Sequence, residues 1–375
     1  MACLALLTVA GCGSLHYGNR TSPGAPNAGT ASASGSGPGT EVPASVVVEI
    51  GAAGPYAWAV TGSSLSTSDD GGATWSTAAT LTGGMPLAAA RLGQDTVWAI
   101  TESAGSLSFR YSADQATSWT PAPLDTHGLC ISGMPAQVDP VSAADVFVSL
   151  GGGGAVCPPG ELFVSTDGGG RFTREPEPVT GDVMFSDASD GILAGGLANS
   201  LLYSTGNAGS TWTRIDLPGP AASGIPALGA PFAQGGTDYV PETIQAPGTA
   251  ELSFQLLKGP PAGPFSAVSA PIPLSGTNLG PGTPAAVGEY LSQVWVAAPD
   301  GSQIYESANL GASWTTVRTS GLPAGPSQLA LTGPHSAIAL VVSGSCTSPG
   351  SGCTENAKVY RTTDDGATWS ESTPA

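Results

Sequence analysis

The chain has 375 residues, 41% of them apolar and only 10% charged, with 54 Gly and 33 Pro. That is enough apolar material for a core and too many chain-turning residues for long helices, so an all-β fold is expected and a helical bundle excluded. Ten Lys and Arg against 28 Asp and Glu leave a formal charge of -18, which repels phosphate backbones and excludes nucleic acid as a partner held by counterion release.

The first twelve residues, MACLALLTVAGC, are an apolar run too short to span a bilayer, ending in Val9-Ala10-Gly11-Cys12. This ending resembles the lipobox of bacterial lipoproteins, which implies that 1–12 is a signal peptide and that Cys12 becomes the lipidated N-terminus. The run lacks the basic residues expected at its front, so a truncated start is part of the expectation. Residues 13–44, including TSPGAPNAGTASASGSGPGT, cannot bury a core and are expected to form a flexible Gly/Ser/Ala/Pro tether. Lipid, tether and folded domain in that order predict a protein held on the outer face of a bacterial membrane.

Residues 45–375 carry a repeat. Aligned on a final aromatic, SDDGGATW (68–75) recurs as SADQATSW (112–119), STDGGGRF (165–172), TGNAGSTW (205–212), SANLGASW (307–314) and TTDDGATW (362–369). The aromatics are spaced by 44, 53, 40, 102 and 55 residues, and Phe265 divides the double interval where the polar letters are lost. Each unit reads as four short strands, clearest in DVMFSDASDGILAGGLANSLLYSTGNAGSTWTRI (182–215). Seven four-stranded units at this period predict a seven-bladed β-propeller.

The repeated octet resembles the Asp-box, S-x-D-x-G-x-T-W, of the bacterial neuraminidase repeat. Its residues suit a tight hairpin between third and fourth strands, with Gly at positive φ and side-chain oxygens on turn amides. Ser68, Asp70, Gly72, Trp75, Asp114, Trp119, Asp167, Phe172, Asn207, Trp212, Asn309, Trp314, Asp364 and Trp369 are therefore expected to be structural. A catalytic set would not be repeated around a ring.

Four cysteines follow the tether: Cys130, Cys157, Cys346 and Cys353. An even number in an exported chain predicts two disulfides; three pairings are open, and the nearest-neighbour one joins Cys130 to Cys157 and Cys346 to Cys353. Neither they nor the isolated His16, His127 and His335 make a zinc site or a catalytic triad, so no metal and no cofactor are expected.

Sialidases, which the repeat resembles, hold their substrate carboxylate with three arginines. Here Arg110, Arg171, Arg174, Arg214, Arg318 and Arg361 lie in or beside the octets, on outer strands, and only Arg91 is expected on an inner one. The Arg-Ile-Pro signature of that family is replaced by SVVVEIGAAGPYAWAVTG (45–62). Glu49, Tyr239, Glu242, Glu289 and Tyr290 offer acids and tyrosines but no such clamp.

Asp182–Trp212 is also similar to repeats of the photosystem II assembly factor class, whose propellers are noncatalytic and bind nascent membrane proteins. Their arginine-rich patch is absent from this acidic chain. Xyloglucan-degrading glycosidases use two Asp-box propellers with paired carboxylates between them. Eight Trp are also accounted for: five end octets, and Trp58, Trp98 and Trp295 share one place on the second strand, filled elsewhere by Phe147, Leu193 or Ile338, which leaves none for a sugar platform.

The resulting expectation is a noncatalytic, lipid-anchored monomer that binds or scaffolds a protein or glycan of the cell envelope, with a glycoside hydrolase of sialidase-like fold as the competing reading. Arg91, Asp187, Asp190 and Glu289 are the candidate binding residues, expected where inner strands and their loops converge on a central depression.

Overall fold

The apolar run at the heart of each repeat becomes a strand buried on both faces: every residue of Val146–Leu150 and of Gly191–Gly195 is buried. Such strands are covered on each side by a neighbouring sheet. The computed structural model describes residues 47–78, 81, 84–129, 136–151, 160–218, 224–276, 282–346 and 353–375. They form seven antiparallel sheets arranged as a seven-bladed β-propeller. Blades 1 to 7 span 47–77, 85–123, 136–176, 181–215, 225–274, 287–318 and 326–372.

Six blades are plain four-stranded meanders, each paired in chain order from an inner to an outer strand. The inner strands are Val47–Ala53, Met85–Leu92, Ala136–Pro140, Gly181–Phe185, Ile225–Leu228, Val287–Tyr290 and Pro326–Gly333. Blade 5, which lost the octet, keeps the four ranks but breaks the first and the last. Ile225–Leu228 and Phe232–Gln234 both pair with Thr237–Gln245, while Ser266–Ala267 and Ile272–Leu274 both pair with Leu252–Gly259. The only helix among the described residues is the 3-10 turn Leu197–Asn199.

Each terminal aromatic inserts against the preceding blade. Phe172 of blade 3 meets Phe109 of blade 2 edge-on at 4.8 Å, Trp314 of blade 6 meets Phe254 of blade 5 at 5.6 Å, and Trp369 of blade 7 packs with Trp295 and Ile304 of blade 6. Trp75 of blade 1 packs in the same way on Ile338, Leu340 and Val359 of blade 7, which closes the ring. The closing seam shares no strand between blades. Instead Trp75 Nε1 donates to Ser372 Oγ (2.7 Å), Ser372 Oγ to the Gly72 carbonyl (2.6 Å) and Arg361 Nε to the Gly71 carbonyl (2.8 Å).

Nearer the axis, glutamines staple inner strands. The Ile50 amide donates to Gln328 Oε1 (2.7 Å) between blades 7 and 1, and the Val183 amide to Gln137 Oε1 (3.1 Å) between blades 3 and 4. These amides satisfy backbone groups of the following blade that its own sheet leaves over.

The register corrects one equivalence. Trp58, Trp98, Trp295, Phe147 and Ile338 each lie opposite the residue just before an octet. In blade 4 that place belongs to Ile192, opposite Ser204, and Leu193 is one residue along, opposite Tyr203. Leu193 therefore faces the other side of its sheet.

Candidate functional site

The six octets form one turn, built six times. In each, two consecutive residues take positive φ, as in Gly71 (67°) and Gly72 (81°) or Asp365 (55°) and Gly366 (76°). Ser68 Oγ donates to Asp70 Oδ1 (2.8 Å) and accepts the Gly72 amide (2.8 Å); Asp70 Oδ1 accepts the Thr74 amide (2.8 Å) and Oδ2 the Thr74 hydroxyl (2.7 Å). The same set recurs on Asp114 and Asp364, and on Asp167 without the hydroxyl. Burial alone would raise Asp70, but the Thr74 hydroxyl and amide and the Ser68 hydroxyl hold it down at about 2. The Ser118 hydroxyl and amide hold Asp114 there as well.

These carboxylates are saturated by their own turn. None lines the central depression, which lies around the axis, enclosed by the inner strands of the ring, with a volume of about 310 Å³.

Its ionisable lining residues are Glu49, Arg91, Asp139, Asp182 and Glu289, carried by the inner strands of blades 1, 2, 3, 4 and 6. Arg91 is 3% exposed and its charge is consumed locally. Its guanidinium donates to the carbonyls of Ala57 (3.3 Å), Ser68 (2.9 Å) and Gln94 (2.6 Å), pairs with Asp69 at 2.7 Å, and stands 5.3 Å over the Tyr56 ring. It clamps blade 2 to blade 1. Asp139 Oδ2 accepts the Phe185 amide (2.7 Å) of the next blade, Asp182 is buried, and Glu289 is exposed on its strand.

Trp58 also reaches this pocket. Gly51 on the inner strand has no side chain, and the benzo ring of Trp58 fills the space: a Cβ on Gly51 would fall 2.1 Å from Trp58 Cζ2. Trp98 and Trp295, at the same register, are fully buried. The count that left no tryptophan for the depression is thus corrected at one blade.

Of the four candidate binding residues, Arg91 and Glu289 line the pocket, whereas Asp187 and Asp190 do not. The latter two sit in the turn between the first two strands of blade 4, where Asp187 Oδ1 accepts the amides of Ser189 and Asp190 (2.7 Å each). They face blade 5, where burial, then the charges of Asp190 and Asp187, push the fully buried Asp238 up to about 6. Tyr239 and Glu242 are buried three residues apart on one strand, hence on opposite faces, with Tyr239 stacked on Phe232 and Glu242 bonded to Gln255. They form no pair.

Asp139 and Asp182 are the lining residues missed in the sequence; their signal was an acid on an inner strand, the pattern that marked Arg91 and Glu289. Every arginine except Arg20, which is outside the described residues, can be placed, and Arg91 alone lines the pocket. Cys12, the tether, Cys130 and Cys157 also lie outside the described residues. Cys346 and Cys353 stand directly opposite each other in the backbone register of blade 7. Among the described residues no group of three or more His, Cys, Asp or Glu is arranged to hold a metal ion.

No family model and no curated protein matches the chain. Solved propellers do. The Niastella koreensis GH74 enzyme is 17% identical with a TM-score of 0.52, covering 84% of this chain and 52% of its own. The chain thus spans about half the length of that enzyme. YCF48 bound to D1 peptide is 13% identical with a TM-score of 0.51, covering 80% of this chain and 90% of its own. Both likenesses are of fold. One neighbour is a GH74 enzyme and the other binds a peptide, so the fold is compatible with either kind of work.

Proposed function

We propose that this chain is a noncatalytic, lipid-anchored propeller on the outer face of the cell envelope, binding or scaffolding another envelope molecule through its central pocket. The observation that carries this reading is the state of Arg91. A sialidase-type site needs free guanidinium groups facing the substrate carboxylate. The one arginine in this pocket is buried against three carbonyls and Asp69. The peptide-bound YCF48 neighbour supports a propeller of this size acting as a binding module.

The anchor rests on the Cys12 lipobox followed by the 13–44 tether, and Cys12→Ser should shift the protein from the membrane to the soluble fraction. Two disulfides suit the same oxidising compartment. Directly opposed residues of antiparallel strands stand about 4.5–5.5 Å apart at Cα, within the span a disulfide bridges, which supports pairing Cys346 with Cys353.

The second reading is a glycoside hydrolase, favoured by the carboxylates that several blades bring to one pocket, since glycosidic cleavage uses two of them. The test is release of reducing sugar from sialosides and xyloglucan oligosaccharides by the purified chain. No turnover is expected. Turnover abolished by Glu289→Gln or Asp139→Asn would replace the binding reading with the hydrolase.

A further inference from the structure

We propose that the central pocket takes a cationic group, the ammonium or guanidinium of a lysine or arginine side chain or of a free alkylamine, held by Glu49 and Glu289 beside the indole of Trp58. This deepens the binding reading above and rests on it.

Three observations meet in the pocket. Its lining carries four carboxylates, Glu49, Asp139, Asp182 and Glu289, against one guanidinium. That guanidinium is 3% exposed and neutralised by Asp69, so it does not offset the field felt by a ligand on the axis. Walls of low dielectric focus such a field into the cavity, and a chain of formal charge -18 adds to it at long range. An anion is therefore rejected, and a cation is drawn in.

The second observation is the aromatic wall. Trp58 is only partly buried, unlike Trp98 and Trp295, and its indole lies in the space in front of Gly51 at the pocket wall. A cation beside an indole gains from the ring quadrupole, most when water is excluded. The third is size: about 310 Å³ is at the small end of ligand cavities, room for one extended side chain and too little for a folded domain or a long glycan. A side chain delivered by a peptide lying over the mouth fits these limits.

Titration calorimetry of the full chain at about 0.15 M salt, where diffuse attraction is screened, tests this. The probes are a lysine hexapeptide, 1,5-diaminopentane and a xyloglucan oligosaccharide. The hexapeptide should bind, and Glu289→Gln, an exposed site that leaves the fold alone, should weaken it about tenfold. Trp58→Phe should weaken it too, with its unfolding curve recorded alongside. Glu251→Gln, an exposed acid far along blade 5, should change nothing.

Equal binding of the diamine identifies a free amine as the source; binding of the peptide alone identifies a side chain. Absence of heat with both cations, an equal loss in Glu251→Gln, or binding of the oligosaccharide alone overturns the proposal. Failure with both cations leaves the noncatalytic reading standing, whereas hydrolysis of the oligosaccharide removes that reading whichever cation binds.

Discussion

Asn207 and Asn309 stand where four other turns carry aspartate, and their geometry shows why the exchange is tolerated. Each amide oxygen accepts the same backbone amide at 2.9 Å, and each amide nitrogen donates to the hydroxyl that an aspartate would accept from. The hydroxyl can act either way. Asp364→Asn should therefore be nearly neutral in chemical denaturation, whereas Asp364→Ala should lose about 1 kcal/mol per missing bond. A catalytic aspartate would show the reverse priority, with stability spared and activity lost.

Buried acids set the pH response. Burial pushes Glu177 up to about 8, with Ser149 opposing and the Glu161 charge adding. Burial and the Asp365 charge push Glu306 up to about 7, and Asp238 stands at about 6. The folded state holds these protons after the unfolded chain has released them. Their stability is present below the ordinary carboxylate range and is lost as pH rises from there through about 6, 7 and 8. Asp70 and Asp114, held at about 2, work in the other direction and lose stability as pH falls toward that value. The melting temperature should peak in the mildly acidic range and decline toward pH 8, and Glu177→Gln should flatten the upper part of that decline. An unchanged slope in the variant would mean that Glu177 is ionised in the folded chain.

At the level of elements, the strands and turns were legible because apolar runs and Gly-rich octets alternate with a fixed period. Pair register was not. Leu193 and Ile192 are both apolar and adjacent, and only the hydrogen-bonded partner across the sheet, Ser204, selects Ile192. The Trp58 position was hidden for a related reason. The place of its ring depends on a missing side chain at Gly51, a residue opposite it in the sheet and seven earlier in sequence.

Gly51→Ala should push the indole from its place. Overpacking of this kind costs about 1–3 kcal/mol, and the pocket should lose its aromatic wall at the same time. Trp58 fluorescence, isolated by comparison with Trp58→Phe, should change in Gly51→Ala without loss of the β-sheet circular dichroism. A wild-type spectrum would show that the ring does not depend on Gly51.

For the whole molecule, seven blades followed from the spacing of the aromatics, including the blade whose octet is lost. The pocket did not follow, because its lining is gathered from inner strands separated by as much as the whole propeller, Glu49 at one end and Gln328 near the other. Composition hinted at it: with so few basic residues, any axis lined by polar side chains was going to be acidic. Which acids reach it is decided by strand alternation around the ring, and the Asp187 and Asp190 turn falls to the interface of blades 4 and 5 instead.

On the binding reading, recognition belongs to the axis and the repeated turns only hold the blades. A photo-crosslinking amino acid placed at position 327, a partly exposed residue of the pocket lining outside the proposed cation-binding pair, or at position 73, in the first of the repeated turns, tests this in cells that express the protein. A discrete adduct is expected from position 327 that disappears when Glu49→Gln is added, and none from position 73. Adducts from position 73 alone would contradict that reading, and would make the repeated turn the functional surface.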